Sequence, residues 1–275
     1  MKTATVSSSC FHAYTSAFLQ YPNHMKPAIS NSNMKSSKFN RNVKSEIEIR
    51  VCVNKACSKQ GSRETLEILS GISPPNIIIK SCGCLGKCGS GPNLVVLPEG
   101  VLVSHVGTPM KTAQVLACFS TAKENDPQNN LKSLALRKKA DAELDNKNYE
   151  QALVLLSQAA EIKPFGGLHL IYKSRSSARL GMGDVSGALE DAKKALNLAP
   201  RFTQPILFAE SSRYLSSLSA AYICQGDAFL EMEEFDAAEK SYSSALQTDP
   251  SIRRSKSFKA RIAKLHEKLA AADLP

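Results

Sequence analysis

The 275-residue sequence predicts a small α+β domain followed by an all-α repeat array. Three observations predict it. Residues 46–53 read EIEIRVCV, an apolar–polar alternation of strand period, and they open a stretch of short β-branched runs broken by Gly and Pro. From residue 131 the composition turns to Ala, Leu, Ser and Lys with helical period, and three lines close alike on EIKP, NLAP and QTDP. Between the two regions lies a polar linker, residues 121–130, TAKENDPQNN.

The elements of the first region follow in order. Ile47, Ile49, Val51 and Val53 share one face of a strand. Ser62 is placed to cap a helix that carries Leu66 and Leu69 on one face and stops at Gly71. Asn76 to Lys80 reads as a second strand. LVVL and VLVSHV form a hairpin around Pro98-Glu99-Gly100, with His105 as a structural strand residue. Thr108-Pro109 opens a last helix through Phe119, with Cys118 on its inward face. The order β-α-β then β-β-α over residues 46–120 resembles the thioredoxin fold.

The formal charge of +10 is spread unevenly. Residues 1–45 hold six Lys or Arg and no acid, the tail 251–275 is net +5, and the two regions between are close to neutral. A nucleic-acid footprint needs a basic face on a folded domain, and none is visible, so nucleic acid is not an expected partner. No run of 18 apolar residues occurs, and no transmembrane segment is expected. Residues 1–45 also hold twelve Ser or Thr and a single Arg, Arg41. Ser-rich, acid-free and poor in Arg, they read as a chloroplast transit peptide (a disordered arm being the alternative), which places the mature protein in the stroma or at the thylakoid. Cys10 would leave with the peptide.

Four cysteines carry the expected chemistry. Cys52 and Cys57 are separated by four residues at the end of the first strand, and Cys84 and Cys88 by three within SCGCLGKCGSGPN. One helix and one strand connect the pairs, so both return to the same end of a sheet. Four thiolates converging from two loops suit a tetrahedral metal or a [2Fe–2S] cluster. Gly83, Gly86, Gly89 and Gly91 let the backbone approach and point N–H groups at sulfur. A structural zinc and regulatory disulfides are the alternatives, and Cys82 is a spare thiol.

The segments VCVNKACSKQGS and GCLGKCGSGPNLVVLPEGVLV are similar to those of the thioredoxin-like [2Fe–2S] ferredoxins, the family of the small cluster-bearing subunit of NADH dehydrogenases. The resemblance implies Cys52, Cys57, Cys84 and Cys88 as ligands of a [2Fe–2S] cofactor and a one-electron or redox-sensing role.

The second region, residues 131–250, resembles tetratricopeptide repeats. Counted back from Pro164, Pro200 and Pro250, small residues recur at Ala152 and Ala159, Ala188 and Ala195, Ala238 and Ala245, with Ala140, Ser176 and Gly226 where paired helices must cross. Large slots hold Leu156, Tyr172, Tyr222, Phe229 and Tyr242. Some sixteen extra residues before the third repeat, including RFTQPILFAESSRYL, lengthen its first helix. Residues 251–275 form a basic capping helix with Phe258, Ile262 and Leu265 on one face.

Such repeats bind peptides on a concave surface. One subclass clamps the C-terminal carboxylate of chaperones with Lys, Asn and Arg. The matching places here hold Arg137, Asp141, Ser174, Ala220 and Cys224, so most of the clamp is missing and chaperone-tail binding is not expected. The five His are scattered, no nucleophile–base–acid set emerges, and no enzymatic role is expected. The combined expectation is a chloroplast redox module on a protein-binding scaffold that assists a photosynthetic complex or a redox enzyme. The alternatives are an electron-input subunit of an oxidoreductase, or a repeat adaptor with zinc or a disulfide.

Overall fold

The computed structural model describes residues 47–74, 76–120, 126–199 and 212–272, without the side chains of 212–214. The expected transit peptide, half of the linker and most of the insert before the third repeat lie outside these residues. The described chain divides into two compact units, one of residues 47–69 and 76–120, the other of 70–74 and 126–272.

The first unit is built on a four-stranded sheet of order β2-β1-β3-β4. Strand β1 (Ile47–Cys52) pairs in parallel with β2 (Ile77–Cys82) and antiparallel with β3 (Leu94–Leu97), and β4 (Val101–Val103) closes the hairpin on β3. A parallel pair needs a crossover, which α1 (Lys55–Lys59) and α2 (Ser62–Ile72) supply. Helix α3 (Pro109–Phe119) follows the hairpin, with Thr108 accepting from the Lys111 N–H and Pro109 in the first turn. Ile49, Val51, Leu69, Leu94, Val96, Ala113 and Leu116 are fully buried and form the core.

Several local expectations change. Helix α1 was not foreseen; Asn54 starts it by accepting from the Lys55 N–H at 2.6 Å. Ser62 is the first residue of α2 rather than its cap, and its buried hydroxyl has no partner among the described residues. The helix also runs one residue beyond Gly71. Strand β2 extends to Cys82, which stands opposite Cys52. His105 lies past the end of β4 in left-handed backbone (φ 57), held by its N–H on the Ser90 carbonyl. Cys118 is only half-buried, because the inward row of α3 is Thr112, Ala113, Val115 and Leu116.

The second unit contains three antiparallel helix pairs of tetratricopeptide type. They are α4 (Pro127–Asp145) with α5 (Tyr149–Glu161), α6 (Leu168–Gly181) with α7 (Val185–Leu198), and α8 (Ser212–Glu231) with α9 (Phe235–Thr248). A 3-10 turn (Pro250–Arg254) and α10 (Lys256–Ala272) close the array. Helix α8, at 20 residues against 14 for α6, is the lengthened one.

The small positions explain the pairing. Ala140, Ala152, Ala159, Ala188, Ala238 and Ala245 have no exposed surface, and Ala195 almost none. Ser176 donates to the Ala188 carbonyl at 2.8 Å across the α6–α7 crossing. At the same place in the third pair, a Cβ on Gly226 would stand 2.6 Å from the Tyr242 ring. Tyr242 in turn packs edge-on against Phe258 of α10 with ring centroids 5.9 Å apart. The expected apolar face of the capping helix is thereby used: Phe258 and Leu265 are buried against α8 and α9. No described helix is long and apolar enough to cross a membrane.

Candidate functional site

The fold brings the four expected cysteines to one end of the sheet but divides them into two unlike pairs. Cys52 ends β1 and Cys57 lies in α1, and both are almost completely buried. Their thiols touch, and burial together with Cys52 pushes the Cys57 thiol up from its ordinary range. Asn93, itself buried, braces this pair: its side-chain N–H groups reach Cys57 Sγ at 3.5 Å and the Lys87 carbonyl at 2.7 Å. A Cβ on Gly91 would meet Cys57 Sγ at 3.0 Å, so the second cysteine loop passes close over the first pair.

Cys84 and Cys88 lie in that loop and are exposed. Their sulfurs face each other at 3.4 Å, and the Gly86 N–H donates to Cys84 Sγ at 3.4 Å. That N–H and the adjoining Cys88 hold the Cys84 thiol below its usual range, while Cys84 pushes Cys88 above it. Charge on Cys57 and Cys52 is felt at Cys88 as well, so the pairs are electrostatic neighbours.

The expected [2Fe–2S] cofactor is corrected by this arrangement. Among the described residues no three His, Cys, Asp or Glu side chains form a group that could hold a metal ion. The two pairs differ in burial: Cys52 and Cys57 lie in the core beside Asn93, and Cys84 and Cys88 face each other in solvent. Asn93 closes the segment SCGCLGKCGSGPN but was given no role from the sequence, although its place after Gly91-Pro92, in the loop of the second pair, was the available signal.

In the second unit the first helices of the three pairs, α4, α6 and α8, are successive neighbours and present one continuous face. All five clamp positions belong to these helices, and most are already engaged. Arg137 donates to Asp141 at 3.2 Å and Ser174 donates to the other oxygen of Asp141 at 2.7 Å. Cys224 is buried against Ser177, sulfur to hydroxyl 3.3 Å, and burial pushes its thiol up. The carboxylate at the first clamp position is therefore the chain's own. His169, beside Arg137 and Lys173, is lowered to about 4 by its burial and by those two cations.

Two ion-pair networks hold this face in place, and neither was legible in advance. Asp191 of α7, fully buried, receives both prongs of Arg175 at 2.7 Å and Arg179 at 3.3 Å. Asp227 of α8 receives Arg261 of α10 at 2.8 and 2.9 Å and the Tyr242 hydroxyl at 2.7 Å. Burial and then Asp227 raise the Tyr242 phenol far above its ordinary range.

Comparison with known proteins gives matches to part of the chain. No family model matches the chain. Among curated proteins, the Protein STIP1 homolog of Dictyostelium discoideum is 28% identical over 123 residues, 45% of this chain. The alignment covers 19% of that relative's length. Among solved structures, one described as the first TPR of Spaghetti (RPAP3) bound to HSP90 peptide SRMEEVD shares 19% identity, with a TM-score of 0.39. It covers 51% of this chain and 94% of its own. The chain is thus similar over part of its length to a curated relative of which it spans about a fifth.

Proposed function

We propose that this chain is a non-enzymatic protein-binding adaptor whose partner segment lies along the face of α4, α6 and α8. The observation that carries the reading is the continuity of that face, fixed from below by fully buried small residues and tied by Ser174–Asp141 and Ser177–Cys224 from helix to helix. Side chains fixed in this way need little reordering on binding, which lowers the entropic cost of holding a peptide. Lys173, close enough to act on His169, adds positive charge to α6, while Arg137 is paired with Asp141.

The test is selection of peptides from a random library on the full chain, repeated on Lys173→Glu and Ser177→Arg variants. Selected peptides should lose binding to both variants. Peptides that bind all three proteins equally would remove the face from the reading.

A chaperone tail is one occupant to examine, with SRMEEVD as the probe. Asp141 repels an incoming carboxylate and occupies Arg137, so Asp141→Asn should tighten that peptide about tenfold. Tight binding to the native chain, unchanged by the substitution, would mean that the acid does not guard the face.

Two finer readings accompany this one. The strand order supports a thioredoxin-like fold for the first unit, which an experimental structure of the chain would test. The composition of residues 1–45 supports import into chloroplasts, where a photosynthetic complex is the proposed setting of the adaptor. A fluorescent protein carrying these residues should enter plastids, and one that stays outside removes the setting.

A further inference from the structure

The exposed sulfur pair lies outside the binding face and has chemistry of its own. Cys84 and Cys88 are separated by three residues, both are exposed, and their sulfurs are 3.4 Å apart. A disulfide needs about 2.05 Å, so the sulfurs must close by a further ~1.4 Å. The loop can supply that motion. A Cβ at Gly83, Gly86 or Gly89 would meet nothing within 4 Å, so open space surrounds the backbone between and beside the two cysteines. Gly86, at φ 80, makes the turn that brings the two sulfurs together. The other pair differs in each respect: Cys52 and Cys57 are 1% and 2% exposed and sit under Asn93.

We propose that Cys84 and Cys88 are a thiol–disulfide exchange site that accepts oxidation from a small disulfide or an exposed protein disulfide. Cys84, as thiolate, attacks one sulfur of the incoming disulfide. That disulfide's S–S bond breaks, a mixed disulfide forms on Cys84, and the first leaving thiolate takes a proton from water. Cys88, deprotonated to water, then attacks Cys84 Sγ and expels the second thiolate. Two electrons pass from the chain to the incoming disulfide, which leaves as two thiols, and one intramolecular S–S bond remains. The gate is access: an incoming disulfide reaches this pair, and the protein interior keeps it from Cys52 and Cys57.

The experiment exposes the full chain, under argon, to oxidised glutathione and follows intact mass and the cysteine pairs in proteolytic peptides. The native chain should lose two hydrogens and yield a Cys84–Cys88 peptide pair. Cys88→Ser should instead stop at a stable glutathione adduct on Cys84 with Cys52 and Cys57 unmodified, whereas a loss of fold would expose those two as well. Circular dichroism of each variant checks that the units remain folded. A disulfide mapping to Cys52–Cys57 or to Cys82 would overturn the proposal. So would a native chain whose Cys84 and Cys88 resist both oxidation and alkylation until a chelator is added, because the pair would then be engaged by metal.

Discussion

In the helical unit the small residues that set the helix crossings come three times; in the sheet unit each residue of the cysteine site comes once. Ala140, Ser176 and Gly226 occupy one structural place in three helix pairs, and the buried alanines of the second helices do the same. Cys52, Cys57, Cys84, Cys88 and Asn93 have no second copy. The difference teaches what a repeat makes visible. A close approach used three times leaves a pattern of small residues that needs no knowledge of contacts, whereas a constellation used once fixes only where the chain returns, not where its side chains point.

The largest effect should come from breaking the close approach. Gly226→Val puts branched carbons where a single Cβ already meets the Tyr242 ring at 2.6 Å, and both partners sit on helix backbones that cannot yield separately. Overpacking of this kind costs about 3 kcal/mol. Urea unfolding monitored by the helical signal should shift accordingly, while amide exchange of β1 and β3 stays as in the native chain. Equal loss of protection in both units would sink the view that they are separate structures.

In the sheet unit the matching substitution is Asn93→Ala. It strips the Lys87 carbonyl and Cys57 Sγ of their donor in a buried place, at a cost of about 2 kcal/mol. Its sharper signature is chemical: Cys57, shielded in the native chain, should become open to alkylation. A Cys57 that stays unreactive in this variant would mean that packing alone protects it.

These two positions also mark how far sequence reasoning reached. Apart from α1, the order of strands and helices followed from period and turn residues; β3 and α3 met their expected bounds, while β4 ends three residues before the expected VLVSHV run does. The crossings of the helical unit followed from small residues, and the face of α10 from the spacing of Phe258 and Leu265. The cluster did not follow. Spacing brought four cysteines to one end of the sheet, but α1, a single turn started by Asn54, rolls Cys57 inward, and the glycine loop carries Cys84 and Cys88 outward. Neither rotation has a periodic signal. The same holds for the Asp191 and Asp227 networks, whose partners lie 12 and 16 residues away in the first and 15 and 34 in the second, and come together only when helices pack.

Acid should separate the units next. His169 titrates near 6.5 in the unfolded chain and near 4 in the folded one. The unfolded state therefore binds the proton first as pH falls, so the stabilisation is complete above about 6.5 and is lost progressively down to about 4. The imidazole is half-buried and partly screened by water, which reduces the effect to about 1.5 kcal/mol. The helical unit should thus weaken between these limits in chemical unfolding, and His169→Asn should flatten that dependence. A native profile that is already flat over this range would show that burial beside Arg137 and Lys173 does not hold the imidazole neutral.

The smallest effect sits in the turns between paired helices, where the three repeats use one backbone shape and unequal residues. Lys147, Gly183 and Glu233 stand at the same place with φ of 62, 80 and 61. Only glycine takes that left-handed conformation without a clash between Cβ and the carbonyl oxygen. Lys147→Gly and Glu233→Gly should each stabilise their turn by about 0.5–1 kcal/mol, partly offset by the freedom glycine adds to the unfolded chain. Gly183→Ala should cost about as much. The three measurements form an internal control, since the backbone is the same and only the residue differs. If Lys147→Gly destabilises while Gly183→Ala also does, then the Lys147 side chain holds its turn by contacts that outweigh the strain, and the repeats are alike in backbone but not in what secures it.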